Sequence, residues 1–248
     1  MSPALQARTQ EAERVLARAA LEHAPSTFAS SLGAEDMVIT DLILRRGLDI
    51  EIFTLDTGRL HADTLALLGT IREHYERDLR GRDIRVVRPD ADAVARYVTV
   101  HGPNAFYGSV DLRKRCCEIR KVEPLRRALA GKASWITGQR REQSTTRASL
   151  ALQEHDAAHG LVKFNPLVDW TERDVWEYIR EHGVPYNALH DQGYRSIGCA
   201  PCTRPTLPGE DVRAGRWWWE SPEARECGLH VAPGGRLVRA RKPAEEPA

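Results

Sequence analysis

Thr27-Phe-Ala-Ser-Ser-Leu-Gly-Ala-Glu-Asp-Met-Val-Ile-Thr-Asp-Leu-Ile-Leu-Arg-Arg46 joins a short apolar run, a small-residue turn and a helical pattern. Residues 27–31 read as a strand and 35–46 as a helix, with Ser30, Ser31, Leu32 and Gly33 turning between them. The alternation continues outward. Residues 50–55 read as a second strand, about 60–75 as a helix and 84–88 as a third strand. Helical stretches around 117–130 and 171–182 flank two more strand candidates, 133–137 and 161–164. Upstream, 3–23 form an amphipathic helix with Leu5, Ala12, Val15, Leu16 and Ala19 near helical spacing. Strands alternating with helices predict an α/β fold: a mostly parallel sheet flanked by helices on both faces. Ligands of such sheets bind beyond the carboxyl ends of the strands, which here selects the loops 30–33, 56–59 and 138–147.

Composition narrows the class. The 248 residues carry a formal net charge of +1, which gives no argument for a nucleic-acid or membrane partner. No apolar run is long enough to span a bilayer. Glu11, Glu13 and Glu22 interrupt the N-terminus, which therefore lacks the apolar core of a secretory signal. A reducing, cytoplasmic setting is the expectation, and clustered cysteines then read first as metal ligands or redox catalysts. From Pro185 onward the chain is rich in Gly, Pro and Arg, as expected of a catalytic segment laid over the α/β core. The expected organisation is 1–207 as a nucleotide- and cluster-binding domain, 208–235 as a C-terminal catalytic segment, and 236–248 as a disordered tail.

The cysteines are Cys116, Cys117, Cys199, Cys202 and Cys227. Cys199-Ala-Pro-Cys202 lets two sulfurs face one metal centre, but the adjacent Cys116-Cys117 is unusual for zinc, whose paired ligands are generally two to four residues apart. Four thiolates in two pairs match the ligand count of a 4Fe–4S cluster, whose separate iron corners can each take one of two neighbouring cysteines. Four buried free thiols, or a redox pair at Cys199 and Cys202, are the competing readings. Cys227 is left over, close after Arg216-Trp-Trp-Trp219 and before His230. By spacing alone it is equally a nucleophile of lowered pKa or an inert thiol.

The segments Ser31-Leu-Gly-Ala-Glu-Asp36, Leu55-Asp-Thr-Gly-Arg-Leu-His61, Cys116-Cys-Glu-Ile-Arg-Lys121, Trp135-Ile-Thr-Gly-Gln-Arg-Arg141, Gly198-Cys-Ala-Pro-Cys202 and Glu226-Cys-Gly-Leu-His230 occur in that order. Together they resemble the assimilatory adenylyl-sulfate reductases, relatives of the phosphoadenylyl-sulfate reductases. The resemblance implies an adenine-nucleotide alpha-hydrolase-like fold of the PP-loop ATP pyrophosphatase type. It implies reduction of adenylyl sulfate to sulfite and AMP, with thioredoxin or glutaredoxin as reductant, and a 4Fe–4S cluster on Cys116, Cys117, Cys199 and Cys202. It also assigns Cys227 as the nucleophile that becomes an S-sulfocysteine.

The same resemblance points to Lys121, Arg147, Arg213 and Arg216 as cations facing the phosphosulfate, and to Leu55 and Gly138 as backbone contacts of the adenosine. The turn formed by Ser30, Ser31 and Gly33 can cradle an anion at a helix start. Leu32 and Ala34 depart from the Ser-Gly-Gly pattern of ATP-cleaving relatives, so ATP hydrolysis is not expected. Asp56 and Arg59 read as structural, the triple tryptophan Trp217, Trp218 and Trp219 as core packing and lid docking, and Arg140 and Arg141 as facing either substrate or solvent. His230 reads as an assistant of Cys227 or as a surface residue. A phosphoadenylyl-sulfate or dual-specific reductase is the nearest alternative, followed by an RNA-thiolating enzyme on the same fold and by a zinc-stabilised binding module. No nucleic-acid or membrane partner is expected, and a homo-oligomer is left open.

Overall fold

The computed structural model describes residues 1–144 and 147–221; Cys227, His230 and the tail 236–248 lie outside the described residues. Helix α1 (Pro3–Glu22) opens on Ser2, whose hydroxyl accepts from the Leu5 amide, and on Pro3, whose missing N–H is not needed there. It buries Leu5, Ala12, Val15, Leu16 and Ala19, the apolar stripe read from its spacing. The chain then runs through β1 (Ser26–Ser30), α2 (Ala34–Arg45), β2 (Ile50–Leu55), α3 (Ala62–His74), the single turn α4 (Glu76–Leu79) and β3 (Arg85–Val87). After these come α5 (Ala91–His101), α6 (Val110–Cys117), α7 (Glu123–Leu129), β4 (Ser134–Ile136), β5 (Gln153–Asp156), β6 (Leu161–Phe164) and α8 (Glu172–His182).

The strands form one sheet in the order β3-β2-β1-β4-β6-β5. β1 pairs in parallel with β2 on one side and with β4 on the other, and β2–β3 and β4–β6 are parallel too. Among the described strands β5 alone runs antiparallel. The register lines up Phe28, Ile52, Ile136 and Phe164 on the face covered by α1, α2 and α8. Phe53 and Trp135 point to the other face, against Leu125, Ala128 and Leu129 of α7. Period-two alternation thus feeds two cores from one sheet.

The order of connection reverses between β1 and β4: the chain leaves β1 towards β2 and β3, then returns to the opposite side. The loops after β1 and β4 diverge at that point and leave a crevice beyond the strand ends. Two elements differ from the sequence expectation. Gln153-Glu154-His155-Asp156 lacks apolar alternation, yet forms edge strand β5 because its backbone completes a ladder with β6. The helix expected from about 117 begins earlier, at Val110, where the Ser109 hydroxyl caps the Leu112 amide. Among the described residues no helix is long and apolar enough to cross a membrane.

Candidate active site

The crevice is a cavity of about 260 Å³ at the carboxyl ends of β1, β2 and β4. Ser30, Ser31 and Gly33 enter it from the turn after β1, Leu55 from the end of β2, and Gly138 from the turn after β4. Lys121 reaches it from the segment between α6 and α7, and Arg147, Arg213 and Arg216 come from later loops. All nine nucleotide-contact candidates therefore face one space, although they come from segments scattered over most of the chain.

The turn itself is organised by the first turn of α2. Leu32 adopts a left-handed backbone, φ 61°, and its amide donates to the Ser30 hydroxyl at 3.2 Å. A non-glycine residue there costs about 1–2 kcal/mol. Leu32 is fully buried, however, and burying a leucine returns about 1.5–3 kcal/mol, so packing outweighs the backbone strain. Asp36 accepts both the backbone N–H and the hydroxyl of Ser31, each at 2.6 Å. Glu35 accepts from Arg140 at 2.8 and 2.9 Å and from Gln143 at 2.9 Å. Arg140 is buried in this pair and also bonds Glu142, so it faces neither substrate nor solvent, the two alternatives read from sequence. Arg141 turns away to Leu150 and Asp169.

The two neighbouring carboxylates respond in opposite directions. Burial raises the Asp36 carboxyl to about 6, against the lowering effect of the Ser31 bonds. Burial also raises Glu35, but Arg140 and Gln143 prevail and hold it below its ordinary value. Between about pH 4 and 6 native Asp36 is protonated while the unfolded chain is ionised, so its contribution to stability falls as pH rises. The drop is about 3 kcal/mol across that window and constant above it. Glu35 has the reverse sign: its contribution is present above the unfolded value of 4.5 and is lost as pH falls through its lower folded value. Asp36→Asn is expected to remove the decline between pH 4 and 6. Urea midpoints at pH 4.5, 5.5 and 7 measure it, and an unchanged profile would refute the assignment.

The cysteine pairs meet beside this cavity. Cys116 and Cys117 end α6, and the chain continues through a π turn, Glu118–Val122, before α7. Cys199 and Cys202 bracket the turn Ala200–Cys202, where the Cys202 amide donates to the Cys199 carbonyl at 2.9 Å. That turn is fastened to the loop after β2: the Ala200 amide donates to the Arg59 carbonyl at 2.8 Å, and Thr57 Oγ1 lies 3.2 Å from Cys199 Sγ. Arg59 itself binds Pro103 and Asn104, and Asp56 accepts from the Gly58 amide and pairs with Arg88, both structural contacts.

Cys117, Cys199 and Cys202 are buried, Cys116 is half-buried, and none is in a disulfide. Burial pushes the Cys202 thiol up to about 12, with the neighbouring Cys199 and Cys117 adding to the rise. Burial also pushes Cys199 up, but Lys121, the Thr57 hydrogen bond, Arg216 and Arg120 bring it below its ordinary value. Cys116 is raised by burial, offset by Arg120 and Lys121. The two pairs thus act on each other electrostatically and share cations with the cavity wall. No three His, Cys, Asp or Glu side chains among the described residues are gathered as ligands of a single metal ion. The donor chemistry fits a 4Fe–4S cluster: four thiols in two neighbouring pairs, with Lys121, Arg120 and Arg216 offsetting thiolate charge.

Three further cavity residues go unselected in the sequence, and two of them, His190 and Arg195, lie outside every motif. His190 lines the wall, and burial holds its imidazole below the usual range, hence neutral at pH 7. Its Nε2 is buried with no hydrogen-bond partner, so it can exchange a hydrogen bond with a ligand. Gln139 and Arg195 also line the cavity, Gln139 accepting from buried Lys163 at 2.9 Å and Arg195 pairing with Glu172. Lone residues in loops leave no periodicity; Glu35 and Asp36, acidic residues in a helical first turn, are the kind of pair a helix-dipole argument could have found.

A mostly parallel sheet with a strand–turn–helix loop opening onto a cation-lined crevice defines the adenine-nucleotide alpha-hydrolase-like class of α/β protein. Two structures bear this out. A phosphoadenylyl-sulfate reductase from Candida auris, solved with phosphate, superposes with a TM-score of 0.64 at 25% identity, covering 81% of this chain and 97% of that one. The FMN adenylyltransferase of Candida glabrata, solved with FAD and inorganic pyrophosphate, shares the fold at 13% identity, TM-score 0.55, over 96% of this chain and 82% of its own. Residues 25–205 match the phosphoadenosine phosphosulfate reductase domain. An adenosine 5′-phosphosulfate reductase from Burkholderia cepacia is 56% identical over 93% of this chain and 90% of its own length. One from Allochromatium vinosum is 54% identical over 98% and 92%. The chain belongs to the PAPS/APS reductase family.

Proposed function

We propose that this protein is an adenylyl-sulfate reductase of assimilatory sulfate reduction and cysteine biosynthesis, using thioredoxin in the cytoplasm. The observation that carries the reading is a single cavity lined by Ser30, Ser31, Gly33, Leu55, Lys121, Gly138, Arg147, Arg213 and Arg216, two of whose cations also act on the cysteine pairs. The relatives named adenosine 5′-phosphosulfate reductase support the choice of substrate. Leu55 and Gly138 present backbone to the adenosine, and the turn after β1 and the four cations offset the phosphosulfate charge.

The Cys227 thiolate attacks the sulfate sulfur. An S–S bond forms, the S–O bond to the phosphate breaks, and AMP leaves with the electron pair. A thiolate of reduced thioredoxin then attacks the Cys227 sulfur and expels sulfite, and its second thiol closes the thioredoxin disulfide and frees Cys227. Two electrons pass from the dithiol to sulfate sulfur, which matches sulfite. Cys116, Cys117, Cys199 and Cys202 would hold the cluster, which would supply a structural crosslink and a fixed charge near the site. Residues 1–207 form the nucleotide- and cluster-binding unit and 208–235 the catalytic segment.

Sulfite release from adenylyl sulfate and from its 3′-phosphorylated form, with reduced thioredoxin in each, tests the reading. At least tenfold faster release from adenylyl sulfate is expected; preference for the phosphorylated form would make the protein a phosphoadenylyl-sulfate reductase instead. Anaerobically purified protein is expected to be brown, with about four iron and four sulfide per chain. Colourless protein with one zinc would sink the cluster.

A further inference from the structure

Arg113, on α6, and Glu220, almost at the end of the described chain, form an ion pair whose side chains are 1% and 4% exposed. The contact is bidentate, with Nε–Oε1 at 2.7 Å and Nη2–Oε2 at 2.8 Å. Desolvating two charges generally consumes what their attraction returns, so packed apolar residues would hold this junction as firmly. What the pair adds is geometry: a planar fork fixes both distance and orientation.

Its neighbours show what is being oriented. Arg113 is one helical turn before Cys117, on the same face of α6, and is hydrogen-bonded to it. Its guanidinium lies 4.6 Å from the centre of the buried Trp217 ring, and that of Arg216 lies 4.7 Å from the same ring. Arg216 lines the nucleotide cavity, and Gly198 lets it lie against the backbone, since a Cβ there would fall 2.4 Å from its guanidinium carbon. The Trp217 amide donates to the Cys202 carbonyl at 3.1 Å, and the Glu220 amide to the Trp217 carbonyl at 2.9 Å. Residues 216–220 are therefore tied to the cavity, to both cysteine pairs and to α6.

We propose that Arg113 and Glu220 are positioning residues that fix the root of the C-terminal segment, and so set where Cys227 can reach. Cys227 follows Glu220 by seven positions, a tether of at most about 25 Å. A root fixed beside the cavity keeps the sulfate sulfur within reach of the tether and so raises the effective concentration of the thiol there. The inference rests on Cys227 as the nucleophile.

The test compares wild type, Glu220→Gln and Arg113→Lys holoenzyme in two measurements. One is AMP affinity by calorimetry. The other is single-turnover S-sulfonation by adenylyl sulfate without reductant, followed by mass spectrometry. Glu220→Gln is expected to bind AMP within about twofold of wild type yet S-sulfonate at least tenfold more slowly. Arg113→Lys, which keeps the charge and loses the fork, is expected to fall between. Wild-type S-sulfonation in Glu220→Gln overturns the proposal, as does a loss of AMP affinity in both variants that accounts for the slower rate. S-sulfonation persisting in Cys227→Ser would instead refute the nucleophile assignment.

Discussion

Cys227→Ser is expected to abolish sulfite release while leaving AMP affinity and the brown colour at wild-type values. Attack on sulfate sulfur needs a polarisable anion at neutral pH, and a free cysteine with a pKa near 8.5 supplies a few per cent of thiolate unaided. A serine hydroxyl, far less acidic than a thiol, supplies almost no alkoxide at neutral pH. Loss of a nucleophile of this kind lowers turnover by about 10⁴-fold or more. The substitution leaves the four other cysteines in place, including the two that terminate α6 and the two around the Ala200–Cys202 turn. Nucleotide binding, which the proposed function assigns to the cavity, is therefore expected to be unaffected. Sulfite assay and mass spectrometry of the protein after mixing with adenylyl sulfate check it together. Turnover at the normal rate would remove Cys227 from the mechanism.

Gly138→Ala carries the second large effect. A Cβ at this position would lie 2.0 Å from Asp36 Oδ1, 3.1 Å from its Cγ and 3.3 Å from Glu35 Cβ. The obstructing atom is no loose end. Asp36 is short, buried and pinned by the Ser31 amide and hydroxyl, so displacing it breaks both bonds and moves the anion-binding turn. Overpacking costs about 1–3 kcal/mol of stability, and misplacing the turn is expected to weaken AMP binding about 100-fold. Gly69, inside α3 with no atom within 4 Å of a Cβ, supplies the control. Gly69→Ala is expected to stabilise by about 0.5–1 kcal/mol and leave binding unchanged. Calorimetric AMP titrations and urea melts of the two variants separate the outcomes. Wild-type affinity in Gly138→Ala would show that the turn does not depend on Asp36.

The parts of this protein that could be read in advance are those whose information is local. The strand–turn–helix of residues 27–46 announces itself because β-branched and apolar residues stop at two serines and a glycine, and a helical stripe follows. The α1 stripe, β6 and the cysteine pairs are legible for the same reason. β5 was not, because an edge strand made of Gln153, Glu154, His155 and Asp156 is held by backbone pairing to β6 and not by side-chain pattern. The early start of α6 was hidden by its charged residues, since their role is fixed by what they meet and not by their spacing.

At the site the division is sharper. Spacing and motif order single out the four candidate cluster cysteines, Lys121 and the turn after β1. They do not say that Thr57 and the Arg59 carbonyl fasten the Cys199–Cys202 turn to the loop after β2, that Arg216 serves both the cavity and the Cys199 thiol, or that Arg140 is consumed by Glu35. Each of those facts is a contact between residues far apart in the chain, created when the reversal of strand order around β1 gathers the loops at one edge of the sheet. Residue type and short-range spacing decide which chemistry is available. Distance, burial and shared charge, which exist only after the sheet has closed on its helices, decide which groups use it.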